Sequence, residues 1–240
     1  MHQTLLQRAF GLKPYSEDLS ERLTGRATLS LALVEQQPES GRVLDVGCSD
    51  GWLERSLFGK KHRTITGIEP DRHVIDQARS LFPAGDFRVA SVLSLPFEEE
   101  TFDGAVMFEV IEHVPRGTEL EALREIRRVL RPGAWFLLST PFANPAAILL
   151  DPAWYFGHRH YSDKDLRSLF RSAGFCAEET FVRGAWWELF GVISLYFFKW
   201  VFKSETPFKK QIEKGRAHEF LDSNDGISNI FVLARAFEPK

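Results

Sequence analysis

Three groups of residues in this chain have types and spacings suited to chemistry. The first is Asp45-Val46-Gly47-Cys48-Ser49-Asp50-Gly51, followed about 20 residues on by the acid Glu69. Glycines in a strand-to-helix turn permit positive φ and let backbone come close to a ligand. The N–H groups opening the next helix favour a carboxylate. An acid ending the second strand is placed to take ribose hydroxyls. The second group is Glu109, Glu112 and His113. An imidazole suits proton removal near neutral pH. On a helix, i, i+3, i+4 spacing would gather all three on one face, where two carboxylates and an imidazole can hold a divalent cation such as Mg2+. The third is Gly157-His158-Arg159-His160-Tyr161-Ser162, in which His158 or His160 can act as base or substrate ligand.

These residues need a scaffold, and the periodicity supplies one. Strand-like runs at 42–46, 64–68, 87–92, 102–108, 135–139, 176–182 and 229–237 alternate with helical patterns at 74–82, 120–130 and 163–173. That alternation predicts an α/β fold, a Rossmann-like sheet of seven strands covered by helices. Ser162 and Asp165 form a capping box opening the helix that Gly174 ends. One domain is expected: a helical cap over 1–41, a core over 42–182, an aromatic-rich insertion over 184–228, and a last strand over 229–237.

The motifs, in this order, resemble the class I S-adenosylmethionine-dependent methyltransferases, especially the ubiquinone- and menaquinone-biosynthesis branch. Val43-Leu44-Asp45-Val46-Gly47-Cys48 is similar to their first motif. Leu95-Pro96-Phe97 with Thr101-Phe102-Asp103, Glu109-Val110-Ile111-Glu112-His113-Val114, Leu130-Arg131-Pro132-Gly133-Ala134 and Ala173-Gly174-Phe175 match later ones. The resemblance covers roughly Gly41 to Thr180. It implies a mostly parallel sheet with its last strand antiparallel, and S-adenosylmethionine as cofactor. It further implies that Asp45, Gly47, Cys48, Ser49 and Gly51 form the methionine end of the site. Glu69 and Pro70 would lie at the ribose, Ser91 and Val92 would flank the adenine, and Phe108 would also bind the cofactor. His113 would then be the base, with Glu109, Glu112 and His113 as a metal set in the O-methylating relatives. Two positions depart from the family pattern. Ser49 stands where a glycine is usual, and Ser91 where an acid commonly meets the adenine.

The bulk numbers narrow the acceptor. With 30 basic and 33 acidic side chains the formal charge is −3, which offers no general attraction to nucleic acid. Base-flipping motifs are also missing after strand four. Two cysteines in unrelated positions give no disulfide framework and suggest a reducing, cytoplasmic setting. The N-terminal residues lack the pattern of a signal peptide. Aromatic residues crowd 186–202, but the uncharged stretch Leu189–Phe198 is only ten residues long. Spanning a bilayer takes roughly 20. Such a segment fits a peripheral membrane contact, a lid over a lipidic, quinone-like or lipid-linked acceptor, or plain core packing. O- against C-methylation stays open, as does a non-catalytic module that only binds the cofactor.

Overall fold

The computed structural model describes residues 25–60, 62–222 and 226–237. The expected cap lies largely in 1–24, outside the described residues. The helix α1, Gly25–Glu35, leads into a seven-stranded sheet. Its strands are β1 (Ser40–Val46), β2 (His62–Glu69), β3 (Asp86–Val89), β4 (Phe102–Phe108), β5 (Leu130–Pro141), β6 (Phe175–Arg183) and β7 (Asn229–Ala236). Their spatial order is β3-β2-β1-β4-β5-β7-β6. The pairs β3–β2, β2–β1, β1–β4 and β4–β5 are parallel, and β7 lies antiparallel between β5 and the edge strand β6. The order reverses between β1 and β4, and ligands of open α/β sheets bind outside the strand ends at such a switch point.

The helices of the core are α2 (Trp52–Leu57), α3 (Arg72–Leu81), α4 (Glu119–Val129) and α6 (Asp163–Ala173). Each buries one stripe. Val34, Val43, Leu53, Leu57, Val106, Trp135 and Leu137 form one cluster, while Cys48, Ile75, Ala78 and Phe87 form a second. Elsewhere Phe136, Phe170 and Phe175 pack ring on ring, with centroids 5.2 to 5.7 Å apart. The caps follow the sequence: Ser162 Oγ accepts the Asp165 N–H, and Gly174 ends α6 at φ +92°.

The Leu95-Pro96-Phe97 signature has a structural reason. Glu125 on α4 accepts the Leu95 N–H, and Arg128 donates to the carbonyls of Leu95 and Phe97. A helix thus clamps the loop that follows β3. Two strands differ from expectation. β3 stops at Val89, because Ser91 folds back to bridge Ser94. β5 starts at Leu130 and runs through Pro132-Gly133 with an irregular register beside Phe102 and Gly104.

The chain divides into two compact units. Of the described residues, one unit takes 30–141, 160–181 and 230–237 and carries the sheet. The other joins 25–29 and 142–159 to 182–229. Within it lie α5 (Pro145–Leu150), a 3-10 turn (Pro152–Phe156), α7 (Trp186–Phe197), a π turn (Phe198–Phe202) and α8 (Lys209–Leu221). Sequence periodicity does not show that 142–159 belongs with the insertion. This unit has a polar keystone. The buried Glu219 carboxylate on α8 accepts the backbone N–H groups of Ala185, Trp187 and Glu188, capping α7. Arg216 grips the buried Glu188 carboxylate through Nε and Nη2 and reaches Glu213 through Nη1. Burial works against the Arg216 charge, yet the two glutamates hold its pKa above the ordinary value. Gly215 leaves room for the Trp187 ring: a Cβ there would come within 2.4 Å of it.

Candidate cofactor and active site

The sheet-bearing unit holds the glycine turn between β1 and α2. Gly47 and Gly51 take φ of +78° and +75°. A side chain at Gly47 would strike Val110, 2.3 Å from the built Cβ, and one at Gly51 would strike the Phe87 ring at 2.5 Å. The first close approach sets the turn after β4 directly against the turn after β1. Between them Ser49 sits at φ +50°. The family's usual glycine there answers a left-handed backbone, and serine adopts it at a cost of about 1–2 kcal/mol. Asp50 is buried and pairs with Arg55, with 2.8 Å between Oδ2 and Nη2. Cys48 sends its thiol into the core, where burial pushes its pKa up.

Glu69 reaches this turn. Its carboxylate accepts the backbone N–H groups of Ser49 and Asp71; burial raises its pKa and those bonds oppose the rise. The loop N–H groups of Gly47 and Cys48 bond the Ile68 carbonyl at 2.9 and 3.0 Å, and Ala90 N–H bonds the Glu69 carbonyl at 3.1 Å. Exposed Pro70, exposed Ser91 and buried Val92 thus flank the same end of the sheet. Ser91 Oγ accepts the Leu93 N–H.

Asp45 is buried, and its Oδ2 has no hydrogen-bond partner. Desolvation first, then the charge of Glu69, raises its pKa to about 7. Glu54 on α2 is a further candidate site residue that sequence reasoning misses. It is buried, neither carboxylate oxygen is hydrogen-bonded, and burial with the nearby Asp45 charge holds its pKa well above the carboxylate range. Gly67 makes the space, since a Cβ there would meet Glu54 Oε1 at 2.5 Å. In Trp52-Leu53-Glu54-Arg55 nothing distinguishes Glu54 from a solvated helix residue.

The segment after β4 is a turn, not a helix, and this corrects the expected ligand set. Glu109 takes φ +56° and accepts from Ser139 Oγ at 2.7 Å. Buried Glu112 accepts from Thr140 Oγ1 at 3.0 Å. Both serve the end of β5; the ligand atoms of Glu112 and His113 come within 4.8 Å of each other, but Glu109 does not join them. His113 is exposed, its N–H bonded to the Val110 carbonyl at 2.9 Å. Phe108, half-buried, tilts against Trp52 with centroids 6.4 Å apart.

His160 precedes buried Tyr161, whose hydroxyl donates to the Ile111 carbonyl at 3.2 Å and whose N–H meets the Pro141 carbonyl. That anchor fixes the chain around His160 to the turn after β4. His158 belongs to the second unit, where its Nδ1 lies 2.8 Å from Asp151 Oδ2.

The donor set fits an S-adenosylmethionine site. It combines an acid at the end of β2, a glycine turn at the switch point, and an unsatisfied buried carboxyl beneath that turn.

Comparison with known proteins agrees with this arrangement. A family model described as a methyltransferase domain matches residues 15–180. An O-methyltransferase of Aspergillus nomiae is 30% identical over 173 residues, covering 68% of this chain and 76% of that protein. The ubiquinone biosynthesis O-methyltransferase of Xanthomonas axonopodis pv. citri is 33% identical over 160 residues, 60% of this chain and 66% of that one. With three other relatives the matched part spans 53% to 65% of their length. Among solved structures, the 4+2 cyclase SpnF superposes with a TM-score of 0.65 at 20% identity, covering 95% of this chain and 87% of that one. A SAM-dependent methyltransferase of Methanosarcina mazei superposes with a TM-score of 0.61 at 19% identity, covering 87% and 98%. These two likenesses show the fold alone. Taken with the family match over 15–180, the chain belongs to the S-adenosylmethionine-dependent methyltransferase domain family, on its class I, Rossmann-like fold.

Proposed function

We propose that the protein moves a methyl group from S-adenosylmethionine to a hydroxyl of a small molecule. The observation that carries this reading is the close approach of Val110 to Gly47, which sets His113's turn against the turn that would hold the methyl donor. Bound there, S-adenosylmethionine supplies an electrophilic methyl carbon on a sulfonium. Glu69 takes the ribose hydroxyls, for which its carboxylate is aligned by the Ser49 and Asp71 amides. His113 receives the acceptor's hydroxyl proton, so that an alkoxide-like oxygen meets the methyl carbon in line. Asp45, Gly47, Cys48, Ser49 and Gly51 shape the methionine end, while Pro70, Ser91, Val92 and Phe108 border the nucleoside. His160 lines the acceptor side, beside anchored Tyr161.

A cation is not part of this reading, because Glu109 holds the Ser139 hydroxyl instead of joining Glu112 and His113. The relatives of that name make oxygen the favoured acceptor atom. A lipidic, quinone-like or lipid-linked acceptor, met at a membrane surface through 186–202 by an otherwise cytoplasmic protein, follows from the aromatic segment.

The test is a screen of metabolite and lipid extracts with a donor labelled in the methyl group, repeated with His113→Ala. Label should move to an extract component, and the variant should lower kcat by about 100-fold or more. A variant with near-normal kcat would return the proton to His158 or His160. An S-adenosylmethionine-binding chain that labels nothing would favour a non-catalytic module.

A further inference from the structure

The helix α7 is turned inside out for a helix facing water. Its polar residues Glu188 and Ser194 are buried, while Trp186, Phe190, Ile193 and Phe197 are 37% to 63% exposed. Their spacing of four, three and four places them on one stripe. Trp200 and Val201, each more than half exposed, carry the stripe through the π turn. Burying Glu188 requires the Arg216 grip described above, so the inversion is built in. Soluble monomers rarely leave a contiguous aromatic face of this kind to water.

Beside the stripe, Leu149, Leu150, Pro152, Tyr155, Ile193 and Trp200 line an open groove of about 400 Å³. Its lining is aliphatic and aromatic, with the Tyr155 hydroxyl and the Trp200 indole N–H as its side-chain polar groups. The charge around it has a definite sign. Residues 186–216 carry six basic and three acidic side chains, in a chain whose formal charge is −3. Of the lysines there, Lys203, Lys209, Lys210 and Lys214 are exposed. A second copy of the chain on this face would set that positive surplus against itself. An anionic lipid surface complements both features: hydrocarbon for the aromatics, headgroups for the lysines. Among the described residues no helix is long and apolar enough to cross a membrane, so α7 would lie in the interface.

We infer that this face docks on an anionic lipid bilayer, with α7 lying in the interface and the groove between α5 and α7 taking one lipid hydrocarbon chain. The docking stands on the surface alone. Its bearing on the acceptor, a hydroxyl presented from the membrane, rests on the methyl-transfer reading above.

Flotation of the full chain with vesicles tests it, using phosphatidylcholine alone and phosphatidylcholine with one third phosphatidylglycerol. The wild type should bind the anionic vesicles at least about tenfold more tightly than the neutral ones, since each lysine near the surface adds about 1 kcal/mol. Lys210→Glu with Lys214→Glu should remove that preference. Phe190→Ser with Trp200→Ser should release the protein from both vesicles. Because these side chains are exposed, the variants should keep the wild-type melting temperature and donor affinity. Quenching of Trp186 and Trp200 fluorescence by brominated lipid should follow binding, and should fail in the Phe190→Ser, Trp200→Ser variant. A wild type that stays with neither vesicle overturns the inference. So does an aromatic variant that floats like wild type, or a wild-type dimer that Phe190→Ser with Trp200→Ser converts to monomer. Vesicle binding without label transfer to any lipid would defeat the lipidic-acceptor reading and leave the docking standing.

Discussion

At the scale of single residues, the site is legible where chemistry restricts the residue type and hidden where only burial does. Gly47, Gly51 and Glu69 could be read directly, because the left-handed turns and the acid ending β2 leave few alternatives. Ser49 shows the same logic from the other side. It occupies a left-handed conformation at φ +50° with an exposed side chain, so glycine should relieve strain without losing packing. Ser49→Gly is expected to stabilise the protein by about 1 kcal/mol, read as a higher midpoint in urea at unchanged slope. An unchanged or lower midpoint would mean that the turn is not strained. Glu54 was out of reach, since its burial depends on Gly67, 13 residues away on a neighbouring strand.

At the scale of elements, strands and helices with strong periodicity came through, and the boundaries that moved did so for local reasons. Ser91 bends β3 short, and β5 absorbs a proline and a glycine that read as a stop. The turn after β4 is the instructive failure. The spacing of Glu109, Glu112 and His113 suits a helix, but Val110 packed on Gly47 and the bonds to Ser139 and Thr140 hold an irregular turn instead. A pattern of three polar residues does not reveal that two are already committed to the next strand. The α7–α8 pair carries a testable energetic claim of its own. Arg216→Ala would leave the buried Glu188 carboxylate only Arg26, at 4.0 Å, in place of its close bidentate partner; breaking a buried pair costs about 3–5 kcal/mol. A melting curve should show a large loss of stability, whereas Arg216→Ala with Glu188→Leu should recover much of it. Equal melting of wild type and Arg216→Ala would mean the pair holds nothing together.

At the scale of the whole molecule, the buried acids link stability to pH. Asp45 ordinarily titrates near 3.8 and is raised to about 7 in the folded chain by burial and Glu69; Glu54 moves the same way. Below the ordinary value both folded and unfolded chains are protonated, and Asp45 contributes nothing. Between those values only the folded chain holds the proton, so stability falls as pH rises from about 4 to about 7. Without donor present, the melting temperature should therefore drop between pH 5 and pH 8. The slope should shrink in Asp45→Asn and shrink further in Asp45→Asn with Glu54→Gln, leaving the smaller part from Glu69, whose pKa burial also raises. A slope that both substitutions leave unchanged would assign the effect elsewhere. The central claim, however, is that the Gly47 turn and Glu69 together form the methyl-donor site. Calorimetric titration of S-adenosylmethionine into wild type and Glu69→Ala tests it most directly. Hydrogen bonds to a charged group contribute about 1.5–3 kcal/mol each, so the account predicts one donor per chain and an affinity at least about tenfold weaker in the folded variant. Equal affinity in the two proteins, or no donor binding to the wild type, would contradict it.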